Sequence, residues 1–284
     1  MKKIFVLFIT SIFMSIPFAF SSTDTSVWTN SKNTQRVNEI GKKILSKNNL
    51  PTQITFKVID SEEINAFANG DNELCVYTGL LKYVTDDTEL AGVISHEIGH
   101  ILNSHVAKQS VLNAITATAI NKVNVSDKVR TGATIAQNLT MKKLSRDEET
   151  EADVTGVDLM TKAGYNPLAM VSVLYKISGN YVDILEDHPS GDKRTMYIYN
   201  YITYTYPDKA KLSYNSDSFR QFMNYAYPIV EKRNTNASEL KKFNKEQAKL
   251  KEKRIKKLQK YQNSVNELGW KASYTVLKTL TENN

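Results

Sequence analysis

The chain has 284 residues, of which 41% are hydrophobic, and this suffices for one domain of roughly 200 residues with an additional segment. The hydrophobic content excludes a wholly disordered chain, and the single cysteine, Cys75, excludes an internal disulfide. The net charge of +7 is uneven, because residues 241–260 contain ten Lys or Arg and only two Glu. The rest of the chain is therefore not basic, and the positive charge belongs to one segment.

The N-terminus has the pattern of a secretory signal peptide. Two lysines precede an apolar run at residues 4–16, and residues 19–21 fit the small-x-small rule for cleavage. The apolar run is too short to span a membrane. We expect residues 1–21 to be removed and the mature protein to be periplasmic in a bacterium, with an uncleaved anchor as the alternative.

The first elements of the mature chain alternate between helix and strand. Apolar spacing predicts an amphipathic helix from Val27 to Leu50, and residues 54–59 alternate as a half-buried strand does. A turn at residues 69–72 leads into a second strand, Leu74-Cys75-Val76-Tyr77, in which Cys75 is expected to pack as a small hydrophobe. This strand is a candidate edge for binding an extended peptide, although an ordinary sheet strand is the alternative.

The most informative stretch is His96-Glu97-Ile98-Gly99-His100, inside a predicted helix from about Asp87 to Ser110. Residues four apart lie on one helix face, so His96 and His100 point at a common position that suits a zinc ion. Glu97 is rotated about 100° from His96 and lies beside that position. There it is a candidate general base, as in H-E-x-x-H metalloproteases. A chance match in an ordinary helix is the competing interpretation.

An acidic stretch that begins at Ser145 is the second candidate. Ser145 and Glu148 form a capping box, which predicts a helix that ends at Gly164. Within it Glu149 and Asp153 share a face. A catalytic zinc needs three protein ligands, so Glu149 is a candidate third ligand and Asp153 a candidate partner for a ligand histidine. A solvated acidic cluster at a helix N-terminus is the alternative, and Glu148 and Glu151 are expected to be of that kind.

A third histidine ligand downstream on the same helix is not expected. The metzincin pattern requires Gly at position 103 and His at position 106, where this chain has Asn103 and Val106. His105 lies one residue short and off the ligand face, so a structural or surface role is expected for it.

These two stretches together resemble metallopeptidase family 48, the group of HtpX and the CAAX prenyl protease, and within it the soluble periplasmic members of BepA and LoiP type. The family pattern H-E-x-x-H followed by E-x-x-x-D falls on His96, Glu97, His100, Glu149 and Asp153. The resemblance extends over about residues 32–206. It implies an α+β, mainly helical fold of the gluzincin-like zincin type, with a small sheet whose edge strand faces the active site, and one Zn²⁺ per chain.

The resemblance also assigns roles outside the ligand helices. Residues 65–68 together with 76–81 are similar to the substrate-edge strand of the family. His188-Pro189 and Arg194 are similar to its H-P-x-x-x-x-R element. By this resemblance, His188 would be a fourth ligand that holds the enzyme closed, and Arg194 would stabilise the oxyanion. The alternative is that His188 ends a loop and Arg194 pairs with a surface acid.

The C-terminal part is expected to be a helical extension. We predict a peptidase domain over residues 22–206 and an extension over 207–284, with a basic and mostly solvated helix at about 238–262. Nucleic acid is not an expected partner of an exported protein. An outer-membrane component or anionic lipid is the better candidate for the basic helix.

The resulting functional prediction is a zinc-dependent endopeptidase. The family resemblance alone suggests its substrates, which are misfolded or unassembled periplasmic and outer-membrane proteins. A periplasmic binding or chaperone-like protein braced by zinc is the alternative. Glu97 argues against it, because a purely structural zinc site has no use for a carboxylate beside an open position.

Overall fold

The computed structural model describes residues 31–50, 54–68, 72–103, 105, 146–178 and 191–263. The predicted signal peptide and the element at His188-Pro189 lie outside these residues, as do Ser145 and most of the turn at residues 69–72. The sequence also has a weak helical pattern at residues 106–144 and a short apolar stretch at 270–280, and both lie outside the described residues. None of the helices in the described ranges combines the length and the apolarity needed to cross a membrane.

The sheet has three strands in the order β1-β3-β2. Helix α1 (Ser31–Lys47) precedes β1 (Thr55–Ile59), and β2 (Ala66–Ala68) and β3 (Glu73–Tyr77) follow. β1 pairs with β3 in parallel, with Val58 opposite Val76, and β2 pairs with β3 in antiparallel, with Phe67 opposite Cys75. α1 packs on β1, and β2 packs on helix α3 (Asp87–Leu102).

This strand order corrects the expectation that Leu74, Cys75, Val76 and Tyr77 form the edge strand. These residues belong to β3, whose backbone groups pair with β1 on one side and with β2 on the other. The order could not be predicted from the chain order, because the last strand inserts between the first two. Within the described sheet the edges are β1 and β2. Leu74, Cys75 and Val76 are buried, as expected of a central strand.

Helix α3 is buried along most of its length, because it lies between the sheet and the following helices. All residues from Glu89 to His100 are buried. The short helix α2 (Thr78–Tyr83) leads into it, and Asp86 caps its first turn. The helix ends at Leu102 rather than at the predicted Ser110. At that end the side-chain amide of Asn103 donates to the carbonyl of Gly99 at 2.8 Å, which satisfies one carbonyl of the last turn.

Helix α4 (residues 146–162) crosses α3 at close range. A Cβ atom on Gly99 of α3 would lie 2.7 Å from the carbonyl oxygen of Ala152. A Cβ on Gly156 of α4 would lie 2.9 Å from the backbone nitrogen of His96. Each helix thus has a glycine where the other helix approaches, and this contact brings the H-E-x-x-H stretch against the acidic stretch. Gly164, at φ +85°, follows α4 as predicted.

The remaining helices complete the core around α3 and α4. They are α5 (Leu168–Ser178), α6 (Asp192–Thr205), α7 (Pro207–Ala210), α8 (Asp217–Thr235) and α9 (Ala237–Asn263). α5 packs against α3, α6 and α8. Phe222 of α8 is fully buried beside the rings of Tyr175 and Tyr199. Tyr199, one of several closely spaced tyrosines in α6, therefore lies in the core.

Helix α9 is the basic helix, and it is not solvated on all sides. Gln247 is 7% exposed and the side chain of Arg254 is 11% exposed. Arg254 pairs with Asp158 of α4, with 2.6 Å between its Nη2 and Oδ2. Phe243 packs edge-on against Tyr204 of α6. Most described side chains of α9 are exposed, as expected, but the face that contacts α4 and α6 is packed against the rest of the protein.

The N-cap of α3 gives a testable contribution to stability. Asp86 Oδ1 accepts from the backbone amides of Thr88 and Glu89 at 2.8 and 2.9 Å, and from the hydroxyl of Tyr214 at 2.7 Å. Replacing Asp86 by alanine should lower the free energy of unfolding by about 1 kcal/mol in urea denaturation at pH 7. Asp86→Ser keeps a cap acceptor and should recover most of that loss.

The same cap predicts a pH dependence. Burial raises the pKa of Asp86, but the hydrogen bonds from Tyr214 and the two amides outweigh it and lower the pKa below the ordinary value of 3.8. The charged form is thus favoured by folding, so its stabilisation is complete above pH 3.8 and is lost as the pH falls through the lower folded-state pKa. Equal stability loss in Asp86→Ala at pH 7 and below the folded-state pKa would contradict this account.

Candidate metal centre

Three buried side chains from two helices converge at the crossing of α3 and α4. His96 and His100 are each 7% exposed, and Glu149 of α4 is 3% exposed. The Nε2 atoms of the two histidines are 3.0 Å apart. Glu149 Oε2 lies 3.4 Å from His96 Nε2, and Glu149 Oε1 lies 3.2 Å from His100 Nε2. Among the described residues, these three form a group that could hold a metal ion.

The distances between these atoms fit a tetrahedral ion. Ligands about 2.0–2.1 Å from a tetrahedral zinc lie roughly 3.3 Å from one another. The two histidine nitrogens are 3.0 Å apart, and each lies 3.2 or 3.4 Å from one of the two Glu149 oxygens, which is close to that value. Two imidazoles and a carboxylate are also one of the ligand sets found in catalytic zinc sites.

Glu97 lies beside this group without belonging to it. Its side chain is buried, and its Oε1 is 4.0 Å from His96 Nε2. The position agrees with the rotation expected from one residue along the helix. A carboxylate at this distance can exchange a proton with a molecule held at the three ligand atoms.

Asp153 contacts the His96 ring on the side away from the ligand position. Its Oδ1 lies 2.8 Å from His96 Nδ1, the ring nitrogen that faces away from the ligand position. Burial raises the pKa of Asp153, but the charge and hydrogen bonds of Arg194, followed by those of His96, lower it below its ordinary value. Asp153 is therefore a charged acceptor that fixes the orientation of the His96 ring.

Arg194 joins the site from α6 and binds both acids of α4. Its Nε and Nη2 donate to the two carboxylate oxygens of Asp153 at 2.6 and 2.8 Å. Its Nη1 lies 2.9 Å from Glu149 Oε2. The alternative of a pairing with a surface acid is thus wrong, since both acids are buried. In this arrangement Arg194 holds the third candidate ligand in place, and its predicted role at the oxyanion stays a prediction.

The charges at the centre call for a cation. Glu97, Glu149 and Asp153 contribute three negative charges, and Arg194 contributes one positive charge, all in side chains that are at most 10% exposed. Burial lowers the pKa of His96, but the hydrogen bonds and charges of Asp153 and Glu149 outweigh it and raise the pKa to about 10. A divalent cation in place of the His96 proton would balance the net charge of −2 that the three carboxylates and Arg194 leave.

Comparison with known proteins agrees with this geometry. Residues 31–201, more than half of the chain, match peptidase family M48. The chain belongs to peptidase family M48. The family predicted from the two motifs is confirmed, and so is the enzyme class that goes with it, a metalloendopeptidase.

Several curated proteins resemble this M48 chain over part of their length. Mitochondrial metalloendopeptidase OMA1 of Arabidopsis thaliana is 36% identical over 145 residues, which are 49% of this chain and 29% of that protein. The Beta-barrel assembly-enhancing protease of Yersinia pestis is 28% identical over 182 residues, 57% of this chain and 37% of that protein. Metalloprotease LoiP of Escherichia coli (strain K12) is 29% identical over 162 residues, which are 53% of this chain and 64% of that protein. The chain thus spans about a third of the length of the first two.

The structure of this M48 chain brings most of the predicted site residues together. His96, Glu97, His100, Glu149, Asp153 and Arg194 all lie at the α3–α4 crossing. His188, the predicted fourth ligand or latch, lies outside the described residues. The four residues predicted as the substrate edge lie in the central strand β3 instead.

Two residues near the centre were not anticipated. His105, expected in a structural or surface role, is 3% exposed, and its Nδ1 is 3.0 Å from His100 Nδ1. Glu151, expected at the surface, has a side chain only 15% exposed, with its Oε2 3.3 Å from His105 Nε2. Of the two roles expected for His105, the surface role is thus wrong, and its contact with His100 was not foreseen because α3 ends at Leu102.

Proposed function

We propose that this M48 chain is a zinc endopeptidase, with the ion held by His96, His100 and Glu149. The observation that carries the proposal is the convergence of two buried histidine nitrogens and the buried Glu149 carboxylate at 3.0 to 3.4 Å, with Glu97 beside them. Zinc bound there would supply a Lewis acid, which polarises a carbonyl and lowers the pKa of a water molecule to about 7.

Glu97 is the proposed general base and acid. Its carboxylate accepts a proton from the water molecule that attacks the peptide carbonyl, and later gives this proton to the leaving amine. Asp153 and Arg194 do not exchange this proton. They keep the His96 ring and Glu149 in position through contacts of 2.6 to 2.9 Å.

The proposed substrate is an unfolded protein segment in extended form. β2 is an edge of the described sheet, and it packs on α3, the helix that carries His96 and His100. An edge strand offers main-chain donors and acceptors to an extended peptide with little dependence on its sequence. We therefore place substrate binding at β2, in the stretch Asn65-Ala66-Phe67-Ala68.

The proposed site of action is the bacterial periplasm, where the substrates would be misfolded or unassembled envelope proteins. This proposal is supported by the signal-peptide pattern of residues 1–21 and by similarity to a protease named for enhancing β-barrel assembly. The exposed lysines of α9 are available to an outer-membrane component or to anionic lipid.

Digestion of unfolded casein tests the enzymatic proposal. The full chain without residues 1–21, loaded with one equivalent of zinc, should cleave casein into peptides, and a chelator should stop cleavage until zinc is restored. Metal content is measured in parallel by atomic emission. Cleavage that persists after complete removal of metal would contradict the proposal, and so would a chain that binds no zinc.

A further inference from the structure

His105 lies directly behind the ligand candidate His100. The two Nδ1 atoms are 3.0 Å apart, and the ring centroids are 5.0 Å apart at an interplanar angle of 76°. His105 is 3% exposed, so water does not compete for this contact. The opposite ring nitrogen of His105, Nε2, is 3.3 Å from Glu151 Oε2.

The hydrogen bonds determine where each proton lies. His100 faces the ligand position with Nε2, which must be unprotonated to bind a metal, so a neutral His100 carries its proton on Nδ1. Two nitrogens at 3.0 Å need one donor and one acceptor. His100 Nδ1 is therefore the donor and His105 Nδ1 the acceptor. Neutral His105 then carries its proton on Nε2, and this N–H donates a hydrogen bond to Glu151 Oε2.

The two ligand histidines thus have different supports. His96 Nδ1 meets a carboxylate directly, that of Asp153, at 2.8 Å. His100 Nδ1 contacts the imidazole of His105, which in turn contacts the carboxylate of Glu151. Glu151 lies on α4, as Asp153 does. His105 is not itself a ligand in this arrangement, since its Nδ1 contacts the back of His100 and its Nε2 faces Glu151.

We propose that His105 and Glu151 are positioning residues that fix the tautomer and the ring orientation of His100, and that they thereby raise the affinity of the centre for zinc. The inference rests on the proposed zinc site. Removing an outer partner of a metal-binding histidine typically lowers metal affinity about 10–100-fold.

Two replacements of His105 separate hydrogen bonding from packing. His105→Phe fills a similar volume without an acceptor, and we expect a 10–100-fold higher dissociation constant for zinc. His105→Asn places an amide oxygen near the former Nδ1, and its affinity should lie much closer to that of the parent. Asp147→Asn, at an exposed carboxylate in the first turn of α4, is the control and should leave zinc affinity unchanged.

Zinc affinity is measured by competition with a chromogenic chelator at fixed pH, and circular dichroism of the metal-free proteins checks folding. Parent affinity in a folded His105→Phe would overturn the inference, and so would equal losses in both replacements. A parent chain that binds no zinc would instead refute the proposed function.

Nuclear magnetic resonance of the zinc-loaded parent gives a test that does not depend on any variant. Long-range ¹⁵N–¹H correlation should show His100 protonated at Nδ1 and His105 protonated at Nε2. His105 protonated at Nδ1 in the neutral form would overturn the inference, because two Nδ1–H groups cannot hydrogen-bond to each other.

Discussion

Replacing Glu97 by glutamine should lower kcat for peptide hydrolysis about 10²–10⁴-fold, a rise of about 3–5 kcal/mol in the activation barrier. The amide has nearly the shape of the carboxylate but cannot accept the proton of the attacking water. Glu97 is not among the three candidate ligands, so the zinc content should remain that of the parent. The measurement is the steady-state cleavage of a fluorescent casein, with metal content determined on the same samples.

Glu89→Gln is the matched control for this prediction. Glu89 is also a buried glutamate of α3, but it lies eight residues, roughly 12 Å, before Glu97 and accepts from Ser172 Oγ at 2.6 Å. Its replacement should lower thermal stability and leave kcat of the folded protein unchanged. If both variants lost activity to the same extent, the loss would reflect damage to α3, and Glu97 would not be the base.

The sequence was sufficient to predict the parts of the site that depend on local periodicity. His96 and His100 lie four residues apart on a helix, and Glu149 and Asp153 do so on another, so each pair had to share a face. The capping of α3 by Asp86 and the end of α4 at Gly164 also follow from local rules. The resemblance to a known family then joined the two helices in one site.

The features that were missed depend on how separate segments meet. The order β1-β3-β2 depends on the pairing of separate segments of the chain, and no local pattern specifies that β3 is the central strand. His105 joins the site because α3 ends at Leu102. The buried ion pair of Arg254 could not be predicted either, because Arg254 lies in a lysine-rich segment and its partner Asp158 is 96 residues away in sequence.

Replacing Arg254 by glutamine should lower the free energy of unfolding by about 3–5 kcal/mol, because it leaves a carboxylate buried without its countercharge. Arg254 Nε and Nη2 contact Asp158 Oδ2 at 3.1 and 2.6 Å, and Asp158 is 1% exposed. The hydroxyls of Tyr201 and Tyr206 each donate to Oδ1 at 2.7 Å. Burial and the charge of Asp158 raise the pKa of both tyrosines, which stay neutral and cannot replace the cation.

This ion pair connects α9 to a helix of the candidate metal centre. Asp158 lies on α4, the helix that also carries Glu149 and Asp153, and Arg254 Nη2 further contacts Thr155 Oγ1 at 3.3 Å. Thr155 Oγ1 in turn accepts from Asn103, which closes the last turn of α3. A helix beyond the M48 match at residues 31–201 is thus tied to both ligand-bearing helices.

Urea denaturation and hydrogen exchange test this connection, with Lys256→Gln as the matched control. Lys256 lies two residues further on the same helix, and its pair with Glu252 is exposed, so its loss should change the free energy of unfolding by less than about 0.5 kcal/mol. Arg254→Gln should also increase amide exchange in α9 and around Thr155 and Asp158 in α4. Equal stabilities of the two variants would show that the Arg254–Asp158 pair does not hold α9 on the domain, and that the helix is an appendage as its composition suggests.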